Sequence, residues 1–332
     1  MGRKLGLNYT WNKPTADTHR SRQHLNIAVP KQQTIAGLAL LLALWLTGCT
    51  TPANRTTPTD RKVVLTTFTV IADMTRNVAG EKVNVESIVK PGAEIHGYEP
   101  TPSDLARGQN ATVIFDNGLN LERWATRFYN SLPKVPHITL SEGVKPIAIA
   151  SDASKGKPNP HAWMSPKNAL IYVENIRKAL GKIDPANASI YDANAATYSQ
   201  QIRALDTKLK QAVAKIPADK RYLVSCEGAF TYIARDYGLT EVYIWPVNAE
   251  QQATPKQVER VINTVRAKQI PTVFCESTVD NRAQLQVAKE TGAKFGGVFY
   301  VDSLSPPNGP ASTYLKLLEY NINTLIKGMT TK

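Results

Sequence analysis

The segment from residue 187 to residue 216 constrains the fold most, because it is predicted to form one uninterrupted helix. It contains neither Gly nor Pro, and Pro217 follows it directly. Its apolar residues recur every three or four positions, as on one face of an amphipathic helix. These residues are Tyr191, Ala195, Tyr198, Ile202, Leu205, Leu209 and Val213. About 30 helical residues span about 45 Å, so we expect this helix to extend beyond one domain and to connect two.

Strand-like and helix-like runs alternate on both sides of this segment. The predicted strands are Lys62–Val70, Val83–Val89, Thr112–Phe115, Val135–Leu140, Tyr222–Cys226, Glu241–Trp245, Thr272–Cys275 and Phe295–Val301. The predicted helices include Ala72–Ala79, Asn120–Asn130, Lys167–Gly181, Thr254–Gln269 and Ser312–Lys327. Such alternation predicts an α/β fold with two lobes, each a mostly parallel sheet flanked by helices, joined by one long rigid inter-domain helix. We place the N-terminal lobe at residues 62–186, the helix at 187–216 and the C-terminal lobe at 217–332.

The N-terminal region has the organisation of an export signal. Residues 35–46 form an apolar run, IAGLALLLALWL, which follows Arg20, Arg22 and Lys31. This run is too short to span a bilayer, which takes about 20 helical residues, and a basic segment before an apolar run is typical of a signal peptide. A buried core helix is the alternative, but the polar, Pro-containing residues 50–58 that follow are typical of a linker.

The residues at the end of this run, LTGC at 46–49, resemble the bacterial lipobox, whose Cys becomes the acylated first residue of the mature chain. We therefore expect a signal peptide at residues 1–48, lipidation of Cys49 and a linker at residues 49–61. The segment before the apolar run is unusually long, at 34 residues. An exported, lipid-anchored protein is the resulting expectation.

The positive charge does not indicate a nucleic-acid partner. The net charge is +13 over the whole chain and +8 from Cys49 onward, where 34 basic residues face 26 acidic ones. The basic residues are scattered, without an Arg-rich run or an aromatic-interleaved RNA motif. A mildly basic surface near anionic lipid headgroups is the simpler interpretation.

Two of the three cysteines end strand-like runs. Cys226 follows RYLVS and Cys275 follows TVF, and each is followed directly by a glutamate. Because neighbouring parallel strands bring their carboxyl ends together, a disulfide between Cys226 and Cys275 is geometrically plausible. In an oxidising compartment such a bond would persist. Two free buried thiols are the alternative.

Four residues are candidate metal ligands. His96 and His161 lie in Pro- and Gly-rich loops, PGAEIHGYEP and KPNPHAWM, whereas Glu227 and Asp302 directly follow predicted strands. Ligands bind outside the carboxyl ends of strands in α/β folds, so we expect the four to meet between the lobes. Loop histidines and strand-end carboxylates are also often merely structural or solvated. His137 lies within a predicted strand, where a structural or exposed role is the better prediction.

These segments resemble a known family. HGYEPTPSDL, NPHAWMSP, CEGAF and VDS, in this order and spacing, are similar to motifs of the cluster A-I substrate-binding proteins, the Mn²⁺/Zn²⁺ receptors of ABC importers. The resemblance runs from about Lys62 to the C-terminus and is greatest to the cyanobacterial manganese receptor type, whose Cys pair flanks the same Glu. It implies that His96, His161, Glu227 and Asp302 form the full ligand set. It also implies an ABC permease and ATPase as partners, limited lobe movement, and no enzymatic activity.

The ligand types favour Mn²⁺ as the transported ion. Two imidazoles and two carboxylates, which can bind through both oxygens, supply up to six donor atoms. By the same resemblance, zinc receptors of this family use three His ligands, one of them at the position of Glu227, and they commonly carry a His-rich loop. Zn²⁺ is the alternative cargo, because intrinsic affinity follows the order Mn²⁺ below Zn²⁺.

Two other classes of protein are weaker alternatives. A metallohydrolase needs an open coordination position and a general base, and the sequence contains no HExxH or Gly-x-Ser-x-Gly motif. Glu99 and Glu276 lie near the predicted site, where we expect them to orient ligand histidines or to cap helices. A surface adhesin is compatible with a lipid anchor, but no sequence feature favours it.

Overall fold

A computed structural model describes residues 61–247 and 253–330. The predicted signal peptide, the lipobox with Cys49 and the linker up to residue 60 lie outside the described residues. None of the helices in the described ranges combines the length and the apolar character that crossing a membrane requires.

The described residues form eight strands and nine α-helices in an alternating order. The strands are β1 Val63–Thr66, β2 Asn84–Ser87, β3 Val113–Asp116, β4 His137–Thr139, β5 Tyr222–Glu227, β6 Thr240–Trp245, β7 Thr272–Glu276 and β8 Lys294–Phe299. The helices are α1 Thr69–Ala79, α2 Pro102–Gln109, α3 Ala125–Asn130, α4 Pro166–Ile183, α5 Ala188–Ala214, α6 Thr231–Tyr237, α7 Pro255–Lys268, α8 Arg282–Thr291 and α9 Tyr314–Thr330. The predicted α/β class is confirmed.

The N-terminal lobe, β1 to α4, is built on one parallel sheet with the strand order β2-β1-β3-β4. Val64 at its centre is in register with Val85 on one side and Val113 on the other. The four residues of β3, VIFD, are all buried, as expected of a strand covered on both faces. The loops that leave the carboxyl ends of these strands carry His96 and His161.

The C-terminal lobe, β5 to α9, departs from the predicted single sheet. Its strands pair as two separate parallel ribbons, β5-β6 and β7-β8. β5 and β7 are neighbours, but the side-chain amide of Gln284 donates to Val224 O of β5 and to Phe274 O of β7, at 3.3 and 2.8 Å. These carbonyls therefore bond to a side chain instead of a neighbouring strand.

The long helix α5 has nearly the predicted extent. It runs from Ala188 to Ala214 and packs against α1 and α4 of the N-terminal lobe and against α9 of the C-terminal lobe. Its buried face carries six of the seven predicted apolar positions, with Leu205 half-buried. One apolar cluster extends from β1 to α9, so the lobes share a core. The exact lobe boundaries stay a prediction.

Three local predictions need correction. The strand Lys62–Val70 ends at Thr66, and α1 already begins at Thr69, because an apolar run alone does not distinguish a buried strand from a buried helix. The helix expected from Asn120 begins only at Ala125, since Leu119 and Asn120 have positive φ angles of 54° and 65°.

The third correction concerns the start of α4, where Ser165 before Pro166 predicts a capping serine with proline at the first helical position. Ser165 precedes the helix, but its hydroxyl makes no capping bond. It donates instead to Asp236 Oδ2, at 2.5 Å. At the start of α2 the sequence offers Thr101 or Ser103 as a cap, and the structure has Thr101, whose hydroxyl accepts from the Asp104 N–H in a capping box.

A buried carboxylate ties the strand ends of the N-terminal lobe together. Glu122 accepts hydrogen bonds from the Thr67 hydroxyl at 2.7 Å, from Asn117 N–H at 2.7 Å and from Gly118 N–H at 3.2 Å. Thr67 follows β1, and the other two donors follow β3. Burial, with the adjacent Asp116, raises the pKa of Glu122 to about 7.

This raised pKa makes the stability of the apo protein depend on pH. The folded state binds the Glu122 proton more tightly than the unfolded state, so this group stabilises the fold at low pH and the contribution is lost as pH rises to about 7. We expect the free energy of unfolding of the wild type, relative to Glu122→Gln, to fall by up to about 3 kcal/mol from pH 4.5 to pH 7. Urea denaturation at several pH values measures it.

The matched control is Glu142→Gln, which changes an exposed glutamate of the same lobe. Its free energy of unfolding should follow that of the wild type across the same pH range. A pH-independent difference between wild type and Glu122→Gln would contradict the interpretation.

Candidate metal centre

The four predicted ligands come from four different loops or strand ends. His96 lies in the loop after β2, and His161 directly precedes the short 3₁₀ turn Ala162–Met164. Glu227 is the last residue of β5, and Asp302 follows β8 by three positions. Each belongs to a segment that leaves the carboxyl end of a strand or enters a helix, so the topology alone brings two residues from each lobe to one place.

The structure brings all four side chains together. One donor atom of each lies within 4.8 Å of the other three. The Nε2 atoms of His96 and His161 are 3.3 Å apart. Glu227 Oε1 lies 3.5 Å from His96 Nε2 and 3.8 Å from His161 Nε2. Asp302 presents Oδ2 3.8 Å from His96 Nε2 and Oδ1 3.5 Å from His161 Nε2.

These separations suit a common metal ion. Donors about 2.0 to 2.2 Å from one ion are about 3.4 Å apart in a tetrahedron, close to the observed distances. Three of the four side chains are completely buried, and His96 is 3% exposed. Both carboxylate oxygens of Asp302 are buried without a hydrogen-bond donor among the described residues. A bound cation would supply the partner that these two oxygens lack.

The protonation states favour a cation. Burial lowers the pKa of His96 to about 4, although Asp302 opposes this shift. His96 is therefore neutral near pH 7, with a lone pair to donate. Burial alone would raise the pKa of the Asp302 carboxyl, but the imidazoles of His161 and His96 outweigh it and lower that pKa. A neutral imidazole beside an ionised carboxylate is the state that a metal ion requires.

A second set of groups holds the His96 loop. The carboxylate of Glu94 accepts from the backbone N–H of His96 at 2.7 Å and from that of Gly97 at 2.8 Å. The indole of Trp124 donates to Ile95 O at 3.1 Å. Glu94 was not among the residues predicted from the sequence. Its position two residues before the histidine, where a carboxylate can reach the following N–H groups, was the available signal.

The two spare glutamates behave differently. Glu276 Oε2 accepts from the backbone N–H of Glu227 at 3.2 Å, and burial raises the pKa of Glu276 above its usual value. The predicted position of Glu276 beside the site is correct, but its contact supports Glu227 and neither histidine. Glu99 is exposed. His137 stacks on Tyr129 at the surface and lies apart from the four-residue cluster, as predicted.

Cys226 and Cys275 form the predicted disulfide. Their Cα atoms are 4.8 Å apart, and the bond joins β5 to β7 at the place where no backbone ladder does. The alternative of two free thiols is wrong for this structure. Because Glu227 and Glu276 directly follow the two cysteines, the disulfide also keeps these glutamates close together.

Comparison with known proteins assigns the family. The model described as zinc-uptake complex component A, periplasmic, matches residues 64–328. The chain is 51% identical over 276 residues to the iron-binding protein YfeA of Yersinia pestis, covering 83% of this chain and 89% of that protein. It is 33% identical over 306 residues to the manganese ABC transporter substrate-binding lipoprotein PsaA of Streptococcus pneumoniae, covering 90% and 99%.

Solved structures agree in fold. A Mn-bound periplasmic metal binding protein from Candidatus Liberibacter asiaticus is 42% identical, with a TM-score of 0.76 over 81% of this chain and 100% of that one. The periplasmic zinc binding protein TroA from Treponema pallidum has the same TM-score of 0.76 at 23% identity, over 82% of this chain and 100% of that one. The converging histidines and carboxylates, the parallel sheets joined by one long helix and the match to residues 64–328 show that this chain belongs to the periplasmic zinc-uptake complex component A family.

Proposed function

We propose that this protein captures a divalent metal ion outside the cytoplasmic membrane and delivers it to the permease of an ABC importer. The observation that carries the proposal is the buried cluster of His96, His161, Glu227 and Asp302, whose donor atoms lie within 4.8 Å of one another. We assign these four residues as the ligands of the cargo ion. Two come from each lobe, so a bound ion would hold the lobes together.

The class of the function follows from the family. Its members are solute-binding receptors for ABC importers and not enzymes. Four protein ligands, two of them able to bind through both oxygens, also leave no open position for the water that a metallohydrolase activates. Turnover of ester, phosphate or peptide substrates that Glu227→Ala abolishes would overturn the proposal.

The proposal includes an anchor and an energy source. Relatives are named as lipoproteins of metal ABC transporters, which supports an exported, membrane-anchored protein. We propose Cys49, within the lipobox-like LTGC, as the lipidated residue. An ATPase bound to the permease would drive import. Mass spectrometry of the mature chain tests the anchor. Its mass should exceed that of the polypeptide by a diacylglyceryl group, which is attached to Cys49 through a thioether.

We propose Mn²⁺ as the cargo, with Zn²⁺ as the alternative. Two carboxylates beside two imidazoles are a harder donor set than three imidazoles, and hard oxygen donors suit Mn²⁺. The names of the relatives span manganese, iron and zinc, so family membership alone leaves the ion open. The choice of ion therefore depends on Glu227. It supplies an oxygen donor at the position where zinc receptors of this type use a third histidine.

Binding should couple to proton release and to lobe contact. The ligands must be deprotonated to bind a metal, so affinity should fall as pH drops to about 4, where His96 takes up a proton. The N-terminal pair, His96 and His161, and the C-terminal pair, Glu227 and Asp302, face each other across the lobe contact. We infer that the ion draws the carboxylates onto the imidazoles with little overall movement, since α5 packs against both lobes.

A first prediction concerns the cargo. Elemental analysis of protein purified from its native compartment should find one equivalent of metal, with manganese as the main element. Titration of the metal-free protein should raise the free energy of unfolding by about 2.7 kcal/mol at a free Mn²⁺ concentration of 100 times Kd. Competition between Mn²⁺ and Zn²⁺ then gives the selectivity. Protein that carries no transition metal and is not stabilised by either ion contradicts the proposed function.

A second prediction concerns selectivity. Glu227→His replaces a carboxylate by an imidazole and removes one oxygen donor, so Mn²⁺ affinity should fall at least about tenfold, or about 1.4 kcal/mol. Zn²⁺ affinity should fall less, because Zn²⁺ accepts a nitrogen-rich set. Isothermal titration with both ions measures the ratio.

Glu99→His is the matched control for this substitution. It makes the same chemical change at an exposed glutamate three positions from His96 in the same loop. Both affinities should stay at the wild-type values. An unchanged Mn²⁺ to Zn²⁺ ratio in Glu227→His would show that Glu227 does not determine the choice of ion.

A further inference from the structure

One buried amide contacts a ligand histidine and the opposite lobe at the same time. Asn159 is 2% exposed. Its Oδ1 lies 3.0 Å from His161 Nδ1 and accepts from His161 N–H, also at 3.0 Å. Its Nδ2 donates to Gly228 O at 2.6 Å and to the Thr231 hydroxyl at 3.0 Å. Gly228 directly follows Glu227, so this amide lies between ligands of the two lobes.

Groups of both lobes determine which way this amide points, because the His161 N–H requires its oxygen end and Gly228 O requires its NH₂ end. A backbone carbonyl can only accept a hydrogen bond, so Gly228 O requires the NH₂ end of Asn159. The Thr231 hydroxyl donates to Glu241 Oε2 at 2.6 Å, which leaves its oxygen to accept from the same NH₂ group. The reverse orientation would place two acceptors against each other at 2.6 Å. The amide oxygen must therefore face His161.

This orientation determines the tautomer of His161. A neutral imidazole carries one proton on either Nδ1 or Nε2. Since Asn159 Oδ1 only accepts, the proton lies on Nδ1, and Nε2 keeps its lone pair. Nε2 is the atom that faces the other candidate ligands, 3.3 Å from His96 Nε2 and 3.5 Å from Asp302 Oδ1. The lone pair thus points to where a metal ion would lie.

We propose that Asn159 is a positioning residue that holds His161 in its metal-binding tautomer and links this histidine of the N-terminal lobe to the C-terminal lobe. The inference deepens the proposed function and rests on it for the identity of the ligand. When the lobes are in contact, Gly228 O and Thr231 hold the amide in one orientation. Without that contact only the His161 N–H distinguishes the two ends of the amide, so the Nδ1–H tautomer of His161 is held less firmly.

The groups that hold Asn159 are themselves tightly placed. Gly228 N–H donates to Trp245 O at 3.0 Å. A Cβ atom added at Gly228 would lie 2.8 Å from Pro246 O, so this backbone approaches its neighbour as only glycine allows. On the other side, the Tyr232 hydroxyl donates to Asn159 O at 2.7 Å. The C-terminal lobe therefore fixes both the main chain and the side chain of Asn159.

The test combines a spectroscopic measurement with metal binding. Long-range ¹H–¹⁵N correlation of the metal-free protein reports which ring nitrogen of His161 carries the proton in the neutral imidazole, and His137→Gln removes the surface histidine signal for assignment. We expect the wild type to be protonated on Nδ1. Asn159→Leu keeps the size of the side chain but neither hydrogen bond, so His161 should populate both tautomers and Mn²⁺ affinity should fall about 10- to 100-fold.

Two further variants separate positioning from stability. Asn159→Asp keeps an acceptor for His161 but places an oxygen against Gly228 O, so the Nδ1–H tautomer should persist while the metal dissociates faster. Asn175→Leu is the matched control, because this amide of the same lobe donates to Leu140 O and Glu142 O at 2.8 and 2.9 Å. It should change neither the His161 signals nor metal affinity.

The outcomes distinguish this inference from the proposed function. If the wild type carries the His161 proton on Nε2, or if Asn159→Leu leaves the tautomer unchanged, the inference is wrong whether or not metal binds. If the tautomer responds as expected but the wild type binds no divalent ion, Asn159 positions His161 and the proposed function fails. A loss of affinity in Asn159→Leu without a change of tautomer would assign only a structural role to Asn159 and also overturns the inference.

Discussion

The burial of two carboxylates between two lobes is the constraint on which the rest of the structure depends. Removing ionised groups from water costs several kcal/mol per ion unless an opposite charge compensates it. Glu227 and Asp302 are completely buried, and the groups facing them are imidazoles, one of which burial keeps neutral near pH 7. A compact site of this kind is stable when a cation supplies the missing charge. The apolar core that holds the lobes in contact must therefore bring the ligands together at some electrostatic cost.

That core is shared in a specific way around the site. Trp163 follows His161 by two residues and packs edge-on against Phe68 of the N-terminal lobe. Its indole donates to Val301 O at 3.1 Å, one residue before Asp302. A second contact between the lobes comes from Tyr314, whose hydroxyl donates to Trp163 O at 2.5 Å. Trp163 thus contacts a segment of each lobe. The relative position of His161 and Asp302 therefore depends on packing as well as on any bound ion.

Much of this arrangement could be predicted from the sequence. The spacing of apolar residues, and the position of a side chain in a loop or at a strand end, are local properties of the chain. The spacing of Tyr191, Tyr198 and Ile202 was sufficient to predict α5, since only a helix puts residues three and four apart on one face. The four candidate ligands could be predicted individually as loop histidines and strand-end carboxylates. That they form one set came from the resemblance to a family, because convergence in space is not visible in sequence distance.

The features that escaped prediction all depend on partners distant in the chain. The split of the C-terminal sheet requires Gln284 to reach carbonyls of two strands, one of them 60 residues away. Ser165 has the residue type and place of a helix cap, but its hydroxyl donates to the carboxylate of Asp236 on α6 instead. Asn159 belongs to the loop segment KPNPHAWM, and its role appears only when Gly228 of the other lobe lies against it. Such side chains have several local options, and tertiary contacts choose among them.

Under the proposed function, the order of the four assigned ligands along the chain has a consequence for biogenesis. The polypeptide passes from one lobe to the other once, through α5, so each lobe is an uninterrupted segment. His96 and His161 emerge first from a chain that is exported from its N-terminus, Glu227 follows, and Asp302 is last. A partly translocated chain holds only the imidazole pair, which binds divalent ions more weakly than the full set. The protein therefore binds an ion with full affinity only after translocation is nearly complete. Its cargo then comes from the compartment in which the protein works, and not from the one in which it is made.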